Sequence, residues 1–150
     1  MAIIKYLENE QGEQQAFDEI SKIAEKGKEY PLYAELASFI LQGLDLLEDV
    51  GVPPDGELIL TGRNAKDHLR TFKIYKPLKH HSPLMEFRIN WEQIGAFRAI
   101  FFSIEKDGKE ILYFTRSLIK QSTSDPAFDK IIEESELMFR KFMIDQNKGD

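Results

Sequence analysis

The stretch "LMEFRINWEQIGAFRAIFFSIEKDGKEILYFTRSL", residues 84–118, decides the fold of this chain. Residues 84–91 alternate between apolar and polar side chains, which is typical of a strand with one buried face. Residues 97–104 carry Phe and Ile at both parities, as in a strand that is buried on two sides. Asp107-Gly108 is a strong hairpin signal. We therefore expect three antiparallel strands, at residues 84–91, 97–105 and 110–118.

Helices are predicted on both sides of this stretch. Residues 13–26 place apolar side chains on one helical face, and a second apolar stripe runs from Pro31 to the break at Gly51. The simplest arrangement of these two helices is an antiparallel hairpin packed on the sheet. Asp125-Pro126 is a good start for a last helix, because the aspartate can cap it and the proline fits its first turn.

Three other parts of the chain carry weaker signals. Residues 2–7 form an apolar-rich run that could be a first strand, and residues 64–71 could form a short helix in a segment interrupted by Gly and Pro. The polar tail from about residue 145 is expected to fray. The whole pattern predicts one α+β domain over residues 1–150, with two N-terminal helices packed on an antiparallel sheet and a closing C-terminal helix.

The composition excludes several classes of protein. Hydrophobic residues make up 42% of the 150 positions, which is enough for a packed core. The absence of cysteine excludes disulfide scaffolds, zinc sites built on thiolates and a cysteine nucleophile. No apolar run approaches the roughly 18 residues that span a bilayer, and the N-terminus lacks the pattern of a signal peptide. We therefore expect a soluble cytoplasmic protein that does not act on a membrane.

The net charge of −6 hides a strong asymmetry along the chain. Residues 1–60 hold 4 basic and 13 acidic residues, whereas residues 61–120 hold 12 basic and 6 acidic ones. The last thirty positions are mildly acidic again, and all three histidines fall in the middle block. A basic block of this kind is where an anionic partner would bind, although the same charges could also form an ordinary solvated surface.

The candidate site consists of basic residues on the predicted strands. Three adjacent antiparallel strands could bring Arg88, Arg98 and Lys120 together at one concave site. Each of these residues could instead be structural. Arg88 could pair with Glu86 or Glu110. Lys120 could cap the end of the sheet and have no other role.

Further basic residues are expected around this site. His80 and His81 are adjacent in sequence, so they lack the i,i+4 spacing of a helical metal pair. We therefore predict neither a metal site nor a cofactor. The residues expected at the rim or at the end of the third strand are Lys73, Lys76, Lys79, His80, His81 and Arg116.

The segment "KPLKHHSPLMEFRINWEQIGAFRAIFFSIEKDGKEILYFTRSLIKQSTSDPAFDKI", residues 76–131, resembles the RelE/HigB toxin superfamily, in particular its phage-derived branch. The matching pieces are a strand with Phe87-Arg88, a strand that starts at Phe97-Arg98, an apolar strand at residues 111–114 and Lys120 before the closing helix. The order of a short strand, a helical hairpin, an antiparallel sheet and a last helix resembles the family as well.

This resemblance implies a toxin that cleaves messenger RNA on the ribosome without a metal ion and that is restrained by a cognate antitoxin of the helix-turn-helix type. The ribose 2′-hydroxyl serves as an internal nucleophile, so the protein need only orient the nucleotide, move protons and stabilise charge. Arg98 matches the phosphate-stabilising arginine of the family, and Arg88 and Lys120 match its other basic positions. Binding of RNA would involve the further basic residues Lys73, Lys76, Lys79 and Arg116.

The sequence departs from the family pattern in three places. Phe128 stands where a tyrosine is often found, Glu86 stands at a usually basic position, and the pI near 5.2 is acidic. His80 or His81 could supply the missing proton relay, because an imidazole titrates near neutrality. The alternative interpretation is a non-catalytic phage or mobile-element accessory protein that binds RNA or a protein partner through the same basic face.

Overall fold

The computed structural model describes residues 1–64, 66–91 and 93–148. Within these residues it has an α+β architecture of three helices, a mixed five-stranded sheet and a separate two-stranded sheet. In chain order the elements are β1 (Ala2–Tyr6), α1 (Gln15–Lys26), α2 (Pro31–Val50), β2 (Ile59–Arg63), β3 (Leu69–Lys73), β4 (Tyr75–Pro77), β5 (Met85–Trp91), β6 (Gly95–Lys106), β7 (Lys109–Lys120) and α3 (Pro126–Lys148).

The main sheet has the strand order β1-β7-β6-β5-β4. Strands β4 to β7 are antiparallel, whereas β1 pairs with β7 in parallel. The predicted first strand is therefore confirmed, but the prediction of an antiparallel sheet is wrong at this edge. Residues 7–108 separate β1 from β7, so no short hairpin sets the direction of this pair.

The three strands predicted from residues 84–118 are confirmed as β5, β6 and β7. Asp107 and Gly108 have φ angles of 55° and 77°, and a two-residue hairpin of type I′ requires positive φ at both central positions. Residues 97–102 are all buried, so β6 is covered on both faces as its sequence predicts.

Helices cover both faces of the main sheet. The α1–α2 hairpin packs on one face, where the aromatic side chains of Phe87, Phe97 and Phe101 are fully buried. Helix α3 packs on the other, against Ile100 and Phe102. We call these two sides the hairpin face and the α3 face. Both predicted N-terminal helices and the helix starting at Pro126 are thus confirmed.

A β-bulge interrupts the pairing of β6 with β7. Ala99 lies opposite Ser117 and Phe101 lies opposite Phe114, so Thr115 and Arg116 together face one residue of β6. The Thr115 hydroxyl donates to the carbonyl of Ile100 at 3.0 Å and lies 2.7 Å from the Ser135 hydroxyl of α3. Arg116 also contacts α3, so both side chains of the bulge project towards the α3 face.

Two expectations about local structure need correction. The predicted short helix at residues 64–71 is wrong, because β3 begins at Leu69 and pairs with β2. Asn64 Oδ1 accepts hydrogen bonds from the backbone N–H groups of Lys66 and His68, a turn that competes with helix formation. The polar tail expected from about residue 145 is helical as far as Lys148, and residues 149 and 150 lie outside the described part of the chain. None of the described helices has the length and apolar character needed to cross a membrane.

Helix α2 lies tightly against the sheet at Gly43, where an added Cβ would come within 2.8 Å of the Phe87 ring. Alanine is favoured over glycine in a helix by about 1 kcal/mol. We nevertheless expect Gly43→Ala to lower the free energy of unfolding by about 1–3 kcal/mol, because Phe87 is fully buried and the added methyl overpacks the core. Urea denaturation measures this change. Ser38→Ala, at an exposed position of α2, should have little effect, and an equal or higher stability of Gly43→Ala would contradict the tight packing.

The contact between α1 and β7 contains a titratable group. Glu19 accepts a hydrogen bond from the Ser117 hydroxyl at 3.0 Å, and burial raises the pKa of its carboxyl group. The folded state therefore holds this proton more tightly than the unfolded chain, and stability is lost as pH rises from the ordinary carboxyl range through the raised pKa. We expect Glu19→Gln to be more stable than the natural chain at pH 7, with the difference vanishing below about pH 4.

Urea denaturation at the two pH values tests this expectation. Asp18→Asn removes a neighbouring, exposed carboxylate and serves as the control, because its pH dependence should follow that of the natural chain. A Glu19→Gln chain that is less stable at pH 7 would show that the Glu19 charge is stabilising.

Candidate nucleic-acid interface

Three basic side chains from three neighbouring strands project from the α3 face. Arg88 on β5 and Arg98 on β6 are direct cross-strand partners. Arg98 lies opposite Leu118 on β7, and Lys120 follows two residues later. Cross-strand partners and residues two apart share one face of a sheet. The structure thus brings the three predicted residues Arg88, Arg98 and Lys120 onto one surface, which we call the basic group.

A buried carboxylate lies between the two arginines. Glu86 Oε1 is 2.9 Å from Arg98 Nε and 3.7 Å from Arg88 Nε. Glu86 is only 4% exposed and Arg98 only 7%, so this ion pair is shielded from water. The predicted interaction of Arg88 with Glu86 is present, but the shorter contact is made by Arg98. One carboxylate therefore balances one of the two guanidinium groups.

The second partner suggested for Arg88 lies elsewhere. Glu110, at the start of β7, accepts hydrogen bonds from the backbone N–H of Val52 at 3.3 Å and from the Ser103 hydroxyl at 2.9 Å. These contacts hold the end of α2 and its following loop to the sheet. Glu110 is thus a structural acceptor.

The two arginines differ in how far a ligand could reach them. Burial lowers the pKa of Arg98 to about 10, an effect that Glu86 opposes and Arg88 reinforces. Arg98 is still a cation at neutral pH, and one of its terminal nitrogens donates to the carbonyl of Phe97 at 3.1 Å. The side chain of Arg88 is 22% exposed against 8% for Arg98. Arg88 is therefore the arginine that a ligand would meet first.

Lys120 is held by the first turn of α3. Its Nζ atom lies 4.9 Å from the centroid of the Phe128 ring, within the range of a cation–π interaction. Phe128 therefore has a structural contact with the basic group. Phe128 fixes the lysine at the edge of the basic group but offers no hydroxyl for proton transfer.

Two of the other predicted residues share the α3 face. Lys76 on the edge strand β4 lies directly opposite Glu86 and is exposed. Arg116 reaches α3, where one terminal nitrogen lies 2.9 Å from Glu134 Oε2. Its Nε atom is buried and has no hydrogen-bond partner among the residues that the structure describes. Lys76 is thus available at the open edge of the face, whereas Arg116 is engaged with α3.

The remaining predicted residues lie outside strands β5, β6 and β7, which carry the basic group. Lys73 is in the two-stranded sheet and its Nζ atom is 3.3 Å from Glu57. Lys79 and His80 are exposed in the turn between β4 and β5. His81, in the same turn, places Nδ1 at 2.9 Å from Glu136 Oε1 of α3.

A cleft that the sequence does not reveal lies between the β1–α1 loop and the second half of α3. It has a volume of about 880 Å³ and a mixed lining of apolar, amide and charged groups. Its lining includes Tyr6, Gln14, Arg116, Glu134 and Phe142. These residues are distant in sequence, so no local motif could indicate the cleft.

Comparison of the chain with models of known protein families, with curated proteins and with solved structures finds no match. Across residues 1–64, 66–91 and 93–148, no three His, Asp or Glu side chains are grouped so that they could hold a metal ion. The fold and the site together define an α+β protein with a cluster of basic side chains on one sheet face, and its function has to be argued from that cluster.

The ion pair predicts an order of stability among variants. Arg98→Met leaves the buried Glu86 carboxylate with only the longer contact to Arg88, and breaking a buried pair in this way typically costs about 3 kcal/mol or more. We expect Arg88→Met to cost clearly less. Adding Glu86→Gln to Arg98→Met should recover part of the loss, because the uncompensated charge is then gone.

Urea denaturation, followed by the fluorescence of Trp91, ranks these chains. Equal losses in Arg88→Met and Arg98→Met would contradict the assignment of Arg98 as the main partner of Glu86.

Proposed function

We propose that this protein is a toxin-type endoribonuclease, similar to the RelE/HigB superfamily, that cleaves messenger RNA on the ribosome without a metal ion. The observation that carries the proposal is the basic group itself, in which Arg88, Arg98 and Lys120 come from three adjacent strands to one sheet face. Guanidinium groups suit phosphate recognition, because they stay charged and can donate two parallel hydrogen bonds. A cytoplasmic location, with messenger RNA and the ribosome as partners and a helix-turn-helix antitoxin as restraint, follows from the same proposal.

The proposed chemistry relies on the substrate for its nucleophile. The ribose 2′-oxygen attacks the adjacent phosphorus and loses its proton to a base, while the 5′-oxygen of the next nucleotide leaves and takes up a proton. The products are a 2′,3′-cyclic phosphate and a 5′-hydroxyl. Arg98 would stabilise the charge that develops on the phosphate oxygens, and Arg88 and Lys120 would hold the RNA backbone.

An imidazole is the best candidate for the proton relay. His81 is partly exposed on the side of α3, and its hydrogen bond with Glu136 fixes the orientation of the ring. His80 is exposed next to it and makes the second candidate.

Two observations favour a second candidate function. The ion pair between Glu86 and Arg98 already uses the cation that would stabilise the phosphate, and Phe128 has no hydroxyl. Both features fit a non-catalytic accessory protein, of phage or mobile-element origin, that binds RNA or a protein partner through the basic group. The two functions differ in whether bound RNA is cut.

Induced expression with mapping of messenger RNA ends separates the two functions. The nuclease should arrest growth and produce new ends inside translated codons, with 2′,3′-cyclic or 3′-phosphate on one fragment and 5′-hydroxyl on the other. We expect Arg98→Ala to lower the cleavage rate by about a hundredfold or more, because one preorganised charge on the phosphate is lost.

Lys109→Ala provides the matched control, since it removes an exposed cation at the far end of β7. Circular dichroism must show that each variant is folded before its rate is compared. A folded Arg98→Ala chain with full activity would mean that the site is elsewhere, and a natural chain that cuts nothing on translating ribosomes would favour the accessory protein.

A further inference from the structure

Two guanidinium groups of the basic group converge on a single oxygen atom. The Nε atoms of Arg88 and Arg98 come from neighbouring strands, and both lie nearest to Glu86 Oε1, at 3.7 Å and 2.9 Å. A carboxylate and a phosphoryl group are both oxyanions that arginine binds in the same manner. The two arginines are therefore arranged as in an anion-binding site, and the Glu86 carboxylate of the protein itself occupies that site.

We infer that Arg88 and Arg98 form a phosphoryl-binding site that the Glu86 carboxylate occupies in the free protein and vacates when a phosphate group binds. The inference rests on the proposed function where the phosphate is that of RNA. It adds an internal competitor, so the affinity of the basic group for RNA is set by how readily Glu86 is displaced.

The fit between Glu86 and the two arginines is incomplete, which favours displacement. The distance of 3.7 Å to Arg88 is too long for a hydrogen bond, and Arg88 Nε is buried with no hydrogen-bond partner within the described part of the chain. A buried donor without an acceptor is unfavourable. A phosphate group has several oxygens and can accept from both arginines at once.

The displaced carboxylate has a second cation within reach. Lys76 is the direct cross-strand partner of Glu86 on the edge strand β4, and it is exposed. Side chains in this position have Cβ atoms about 5 Å apart, so Glu86 can turn outwards and pair with Lys76. The exchange therefore leaves neither the arginines nor the carboxylate without a partner.

Thermal unfolding in chloride and in inorganic phosphate tests the site directly. Glu86→Gln keeps the shape of the side chain and removes its charge, so the arginine pair becomes free for an added anion. We expect phosphate to raise the melting temperature of Glu86→Gln by several degrees more than that of the natural chain, because a ligand that binds only the folded state stabilises it. Glu105→Gln, an exposed change of equal charge on β6, should respond like the natural chain.

Binding of a short single-stranded RNA gives the second readout. Glu86→Gln should bind this RNA about tenfold more tightly than Glu105→Gln does. Its affinity should also fall more steeply with salt: the slope of the logarithm of the binding constant against the logarithm of the salt concentration should steepen by about 0.7 for each additional phosphate contact. Adding Arg88→Ala to Glu86→Gln should abolish the gain. If Glu86→Gln does not fold, Glu86→Asp replaces it. The shorter aspartate carboxylate reaches the arginines less well, so it should raise the phosphate response and the RNA affinity in the same direction.

The outcomes separate this inference from the proposed function. If phosphate stabilises Glu86→Gln no more than Glu105→Gln, the anion site does not exist and the inference is overturned. If Arg88→Ala weakens RNA binding in the natural chain while Glu86→Gln changes nothing, the proposed function stands and the inference fails. A phosphate response without any gain in RNA affinity supports the anion site, assigns it to free phosphate and counts against the proposed function.

Discussion

The burial of β6 on both faces is the constraint on which the rest of the structure depends. Residues 97–102 are packed between the α1–α2 hairpin and α3, so a charged side chain in this stretch must find a partner inside the protein. Arg98 meets this requirement through Glu86 on the neighbouring strand. The basic group thus contains an ion pair that the burial of Arg98 requires. The same two side chains therefore serve both the stability of the fold and the proposed binding of a ligand.

Helix α3 is attached to the sheet by polar as well as apolar contacts. Besides its buried isoleucines, three polar contacts join it to the sheet and to the β4–β5 turn: Arg116 with Glu134, His81 with Glu136, and Lys120 with the ring of Phe128. Three of the predicted site residues therefore hold α3 in place. A ligand that recruits any of them has to compete with the packing of this helix, which couples binding at the basic group to the position of α3.

Much of the fold could be predicted from the sequence because its signals are local. Alternation in residues 84–91 and the Asp107-Gly108 turn depend on neighbouring residues alone, and both are confirmed. The parallel pairing of β1 could not be predicted, since residues 7–108 separate the two strands. The turn at Asn64 was missed because its side chain competes with the helix pattern.

The site was predictable to a similar degree. Strand periodicity predicts that Arg88 and Arg98 share one face. Which of them makes the closer contact with Glu86 depends on the register between two strands. Lys73 was grouped with the site because it is close to Lys76 in sequence, whereas the chain changes sheets between them. Contacts that depend on tertiary packing, such as Lys120 with Phe128, leave no trace in a linear pattern.

The bulge in β7 acts as a phase shift along the strand. Before it, Phe114 points to the hairpin face, and strict alternation would send Lys120 to that same face. The extra residue reverses the alternation, so Ile119 enters the hairpin core and Lys120 emerges beside the arginines. Insertion or deletion of one residue at this point would exchange the two faces for the rest of the strand. Chain length at a single position, rather than any side chain there, therefore decides whether the third cation belongs to the basic group.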